Sequence, residues 1–136
     1  MSEKEEPPIY VQLKRELIGL ILEGHLKDGD VVMSVRQLAT LCDVNPLTVS
    51  KAYQELQRMG VIEKRRGVGM FIQSGASRKL LKTETEHFLK QEWPHIHHRI
   101  NQLGLKVSDL PEAQSLSPSL DTSPLRALYH SGGNKK

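Results

Sequence analysis

The sequence predicts a mainly α fold with one small β-hairpin, continued by a short helical C-terminal region. Three observations carry this. Apolar residues recur at three- and four-residue spacing over most of residues 9–103. Two helix-start signals, Ser34-Val35-Arg36-Gln37 and Asn45-Pro46, lie close together. After Gly60 the period shortens to that of strands, on either side of an Arg-Arg-Gly-Val-Gly stretch.

Residues 1–8 read as a flexible lead-in. From Ile9 a first helix is expected, with Tyr10, Leu13, Leu17, Leu20 and Ile21 inward. Pro8 suits its first turn and Gly24 its end. Asp28-Gly29-Asp30 then signals a turn into a short extended segment. Ser34 and Gln37 form a capping box that opens a second, short helix with Leu38, Ala39 and Leu41 inside. Asn45 is a favoured N-cap, and Pro46 sits where its missing N–H costs nothing. The third helix runs to about Met59, presents Val49, Ala52, Tyr53, Leu56 and Met59 inward, and ends at Gly60. VIEKR and GMFIQ form the hairpin. Helix, short helix, tight turn, helix and hairpin together make a winged helix-turn-helix over residues 9–75.

Residues 76–114 are expected to be helical. Leu80, Leu81, Phe88 and Leu89 mark one helix, which Trp93-Pro94 interrupts, because a residue before proline avoids the helical region. A second helix carries Ile96, Ile100 and Leu103 and stops at Gly104, and Ser108 caps one last turn. Residues 115–136, rich in Ser, Pro and Gly, are expected to be disordered.

Composition narrows the function. The 136 residues are 38% hydrophobic, 26% charged and only 4% aromatic, so a core must rest on Leu, Ile, Val and Met. No apolar run reaches the ~18 residues of a membrane span. MSEKEEPP is charged and lacks a signal peptide's apolar stretch, so a cytoplasmic location is expected. A single cysteine, Cys42, excludes an internal disulfide or a cysteine metal cluster. The net charge is +3, but residues 1–75 hold as many acidic as basic residues. Bulk charge therefore does not argue for nucleic acid; only local placement does. No nucleophile–base pair or phosphate loop is present, which argues against an enzyme, and no cofactor is expected.

At this point the sequence resembles the N-terminal DNA-binding domain of the GntR family of bacterial transcription regulators. The resemblance lies in PIYVQL, ILEGHLKDGD, SVRQLA, VNPLTV, KAYQELQRMGVIE and RGVGMF, in that order over ~65 residues. Asn45-Pro46 with Lys51-Ala52-Tyr53-Gln54-Glu55-Leu56, and the brief C-terminal region, look like the short YtrA-type subgroup, which implies a two-helix dimerisation region and genes linked to ABC transporters. The chain departs from the family at Pro46 and Ser50, where many members carry Arg, and at Val32-Met33, where Leu-Pro is common.

The resemblance implies double-stranded DNA as partner. Two helix starts, at Ser34 to Arg36 and at Asn45 to Thr48, offer unpaired N–H groups to phosphate. Arg36 matches a position that contacts DNA in family members. The third helix would enter the major groove with Asn45, Pro46, Leu47, Thr48, Ser50 and Lys51 outward. Lys51 or Arg36 is a candidate for guanine, Asn45 for adenine and Leu47 for a thymine methyl. Arg65, Arg66, Gly67 and Gly69 would form a wing at the minor groove. Leu81, Phe88, Ile96, Ile100 and Leu103 are the expected homodimer stripe, which two helices alone cannot bury. The expected product is a sequence-specific regulator, a repressor on a palindromic operator, with its effector unknown. Two alternatives stay open: a metal- or small-molecule-responsive sensor, for which His87, His95 and His98 are the metal candidates, and a protein-binding winged helix.

Overall fold

A computed structural model of the chain describes residues 6–112 together with Leu125 and Tyr129. The winged helix-turn-helix is present. Helices α1 (Ile9–Leu22), α2 (Val35–Cys42) and α3 (Pro46–Arg58) precede an antiparallel hairpin of β1 (Ile62–Arg65) and β2 (Gly69–Ile72). α4 (Ala76–His87) follows, then a π-turn (Phe88–Glu92), α5 (Trp93–Leu103) and a 3₁₀ turn (Val107–Asp109).

Most of the inward positions that the apolar spacing predicts are in the core; Ile18 is added to them, and Tyr10, Leu41 and Met59 are only partly buried. Leu13, Leu17, Ile18, Leu20 and Ile21 of α1 are buried, as are Leu38 and Ala39 of α2. From α3 come Val49, Ala52, Tyr53 and Leu56. α3 packs against α1, α2 and β1, so it is the central element. A fully buried aliphatic or aromatic side chain contributes about 1.5–3 kcal/mol relative to exposure, which makes this face the main source of stability.

Each helix end has a local cause. The α2 capping box forms in full: Ser34 Oγ accepts from the Gln37 N–H at 3.1 Å, and Gln37 Oε1 accepts from the Ser34 N–H at 3.2 Å. α2 stops because Asp43 turns left-handed, at φ 56°. The Val44 N–H then reaches back to the Ala39 carbonyl at 3.0 Å. Gly60, at φ 78°, does the same for α3, and the Val61 N–H bonds the Leu56 carbonyl at 2.9 Å.

The extended segment expected after Asp30 is real and holds the hairpin down. Val32 N–H donates to the Met70 carbonyl, and Ile72 N–H donates to the Asp30 carbonyl, at 2.9 and 2.8 Å. Asp28 Oδ2 accepts from the Gly75 N–H at 2.8 Å, which ties the turn after α1 to the start of α4.

The C-terminal region differs from expectation in one respect. Helical backbone continues from Ala76 to Leu103 without the break expected at Trp93-Pro94. Pro94 has no N–H, and its ring would strike the carbonyl four residues back. The π-turn widens the spiral there: the Trp93 N–H bonds the Phe88 carbonyl, five residues earlier. The proline is absorbed rather than ending the helix.

Most of residues 115–136, expected to be disordered, lie outside the described residues, as do residues 1–5. At the two described positions the expectation does not hold. Leu125 and Tyr129 have helical backbone and are buried in the winged-helix core.

Asp43 is the one described non-glycine residue at positive φ, a conformation that Asp tolerates and β-branched residues do not. Asp43→Val is expected to destabilise the fold by about 1–2 kcal/mol, read as a lower urea midpoint at unchanged slope.

Candidate nucleic-acid interface

The predicted reading surface rests on α3. α3 begins at Asn45, whose Oδ1 accepts from the Leu47 N–H at 2.8 Å. Pro46 occupies the first turn. Beyond it Leu47 stands 76% exposed, a large apolar side chain with no core to enter. Thr48 and Ser50 are half-buried beside it, and Lys51 is exposed. At the start of α2, Ser34 and Arg36 are exposed. At the hairpin tip, Arg65, Arg66, Gly67 and Gly69 are all exposed, with Arg65 paired to Gly69 and the Val68 N–H closing the turn on the Arg65 carbonyl at 2.9 Å. Gly67 takes φ 80°, which a β-branched residue would resist.

Three of the polar residues are more committed than sequence alone indicates. Asn45 Oδ1 is engaged as the N-cap, so one lone pair of its amide oxygen is already used and the side chain is held in its capping rotamer. The Lys51 ammonium sits 4.5 Å over the Tyr10 ring, across to α1. The Arg65 guanidinium lies 4.0 Å over the Phe71 ring. Each cation is held by an aromatic face. Arg58 is spent on Glu55, which also lies 3.7 Å from Lys14. The hydrogen bond from Arg58 holds the Glu55 carboxyl below the usual carboxylate range.

Among the described residues, neither Cys42 nor the histidines form a reactive centre. Burial, with Glu16 nearby, pushes the Cys42 thiol up, so it is the opposite of an activated thiolate. His87 lies 3.6 Å from Glu92, and His97 stacks on Trp93 at 5.5 Å. His95 and His98 are exposed. Among the described residues no three His, Cys, Asp or Glu side chains are placed to hold a metal ion. No helix among them is long and apolar enough to cross a membrane.

The predicted dimer stripe lies on α4, the π-turn and α5. Leu80 and Ala76 turn inward, and α4 packs on α1. Leu81, Phe88, Ile96 and Leu103 are exposed and Ile100 is half-buried. Leu89 and Trp93, which the predicted stripe omits, are exposed as well, as are Leu105, Val107 and Leu110. Trp93 lies four residues after Leu89 and three before Ile96, so the spacing includes it; the break expected at Trp93-Pro94 is what leaves it out. The π-turn also brings residues five apart together, and Phe88 and Trp93 lie with ring centroids 6.5 Å apart.

Residues 9–72 match the family model for bacterial regulatory proteins, gntR family. The chain is 33% identical over 111 residues to the uncharacterized HTH-type transcriptional regulator YhcF of Bacillus subtilis, a match covering 77% of this chain and 85% of that protein. The chain belongs to the GntR family. It is also 46% identical over 79 residues to the HTH-type transcriptional repressor YtrA of B. subtilis, covering 58% of this chain and spanning 61% of the relative's length. Among solved structures, a GntR family transcriptional regulator from Listeria monocytogenes aligns with TM-score 0.62 at 28% identity, covering 79% of this chain and 92% of that one. The GntR fold thus extends past the winged helix into the C-terminal helical region.

The cap role of Asn45 separates from any reading role by substitution. Asn45→Ala is expected to cost about 1 kcal/mol of stability, and Asn45→Asp, which keeps the cap oxygen, only a few tenths. Thermal melts of both variants check this.

Proposed function

We propose that this GntR-family protein is a sequence-specific transcription repressor that occupies a palindromic operator as a homodimer. The observation that carries the reading is the N-terminal half of α3. It is capped and exposed, and it is flanked by the α2 start and a basic wing, in a chain of a regulator family. Helix N-termini suit phosphate, through free N–H groups and partial positive charge. Ser34 and the α3 start hold the backbone, and phosphate contacts of this kind set register. Arg36 and Leu47 would meet base edges, with Thr48 and Ser50 lining the same face. Pro46 shapes the helix start. Lys51, steadied over Tyr10, and the wing residues Arg65, Arg66, Gly67 and Gly69 supply charge along the groove.

The exposed stripe of α4 and α5 supports the homodimer. Leu81, Phe88, Leu89, Trp93, Ile96 and Leu103 form an apolar series far larger than scattered surface residues require. A two-fold axis through this stripe would set two α3 helices against half-sites about one helical turn apart. The resemblance to the YtrA-type subgroup supports transporter genes as targets, and DNA as partner supports a cytoplasmic location.

Selection from random duplex DNA at physiological salt is expected to enrich an inverted repeat; no enrichment would sink the reading. Arg36→Ala should weaken binding by about 1–3 kcal/mol and, if Arg36 meets a phosphate, lower the salt slope by ~1. Phe88→Asp should yield a monomer in sedimentation that binds the full repeat poorly. A dimer surviving that substitution would remove the stripe from the interface.

A further inference from the structure

Leu125 and Tyr129 lie beyond every element of the winged helix and beyond the helical arm, yet they belong to the winged-helix core. Leu125 is 0% exposed and Tyr129 is 6% exposed. Both have helical backbone. Their seat is specific. The Met33 N–H donates to Tyr129 Oη at 3.3 Å. On the other side of the same residue, the Met33 carbonyl accepts from Tyr53 Oη at 2.6 Å. Two phenols, one from α3 and one from the C-terminal segment, thus bracket Met33. Met33 directly precedes Ser34, the N-cap of α2.

We propose that the C-terminal segment carrying Leu125 and Tyr129 is an intramolecular docking element that seats on the winged helix and positions the start of α2. The occupant is this chain's own segment, and what seats it is a buried leucine and a hydrogen-bonded phenol. The Met33 N–H sits where α2 begins, outside the hydrogen bonds of that helix. Tyr129 satisfies it, and a part-buried donor left without a partner is costly. The backbone from Val32 to Met33 also carries the bond that holds β2 down. Docking therefore acts at a junction of α2, α3 and the hairpin. Burial pushes both phenols up, so both stay protonated at neutral pH. The consequence for DNA rests on the reading of α2 as a DNA-contacting helix; the docking itself does not.

The test uses full-length protein and two readouts: amide hydrogen exchange at Met33 by NMR, and affinity for the operator enriched from random DNA. Tyr129→Phe keeps the ring and removes the acceptor. It should speed Met33 exchange roughly two- to ten-fold and leave α1 amides unchanged. Leu125→Asp should undock the segment, speed exchange at Met33 and Ser34 further, and weaken operator binding several-fold. If Leu125→Asp fails to fold, Tyr129→Phe decides the docking alone. Unaltered Met33 exchange in the folded variants would overturn the proposal. Faster exchange with unaltered operator affinity would keep the docking and overturn its role in positioning α2. Exchange at Met33 that rises on dilution of the parent protein would assign the segment to a second copy and overturn the own-chain contact. A parent that binds no DNA would refute the repressor reading, and Met33 exchange would still decide the docking.

Discussion

Tyr53 is 2% exposed, and its hydroxyl donates to the Met33 carbonyl at 2.6 Å. That one side chain sets much of the geometry around it. Its ring lies in the core beside Val49, Ala52 and Leu56, which turns the buried face of α3 toward α1 and α2. Once that face is buried, Leu47 and Lys51 have no place inside and must stand out. The same hydroxyl ties the middle of α3 to the residue just before α2, so α3 and the α2 start are linked by one hydrogen bond as well as by packing. A phenol can do this because its ring is apolar and its tip is polar.

The exposed face of α3 is less free than its polar sequence implies. Helix ends leave N–H groups unsatisfied, and side chains nearby are drawn in to satisfy them. Asn45 goes to the cap, and Ser34 goes to the capping box. Cations near aromatic rings settle on them, as Lys51 does on Tyr10 and Arg65 on Phe71. The residues left with the greatest freedom are Arg36, Leu47 and Arg66. A held cation still contributes charge, but it meets a partner from a fixed position, with less conformational entropy left to lose. The candidate interface is therefore partly organised in the free chain.

The helical arm shows how one proline is accommodated. A break at Pro94 would have produced two helices free to fold on each other. The π-turn instead carries the spiral through, and the apolar residues on both sides share one extended arm. Only Ala76 and Leu80 of α4 reach the winged-helix core; among the described residues the rest of the stripe stays exposed, apart from half-buried Ile100. The same turn places His87 beside Glu92 and Phe88 beside Trp93, pairs five residues apart that an ordinary α-helix would separate.

Local chemistry made much of this legible in the sequence. The capping box at Ser34, Asn45-Pro46 at the start of α3, Gly60 at its end and the Gly67 tip all act within a few residues, so their spacing alone specifies them. The core faces of α1, α2 and α3 follow from the helical period, because burying one face is what stabilises such helices. The candidate reading residues were legible as a set for the same reason: they are what remains when the inner faces are assigned. What the sequence could not reveal depends on partners distant along the chain. The hold of Tyr10 on Lys51 spans 41 positions between α1 and α3, and that of Tyr129 on Met33 spans 96. The segment around Leu125 is rich in Ser, Pro and Gly and has too few apolar residues to suggest a core of its own. Its leucine and tyrosine are buried because the winged helix offers them a site, and only the tertiary structure decides that.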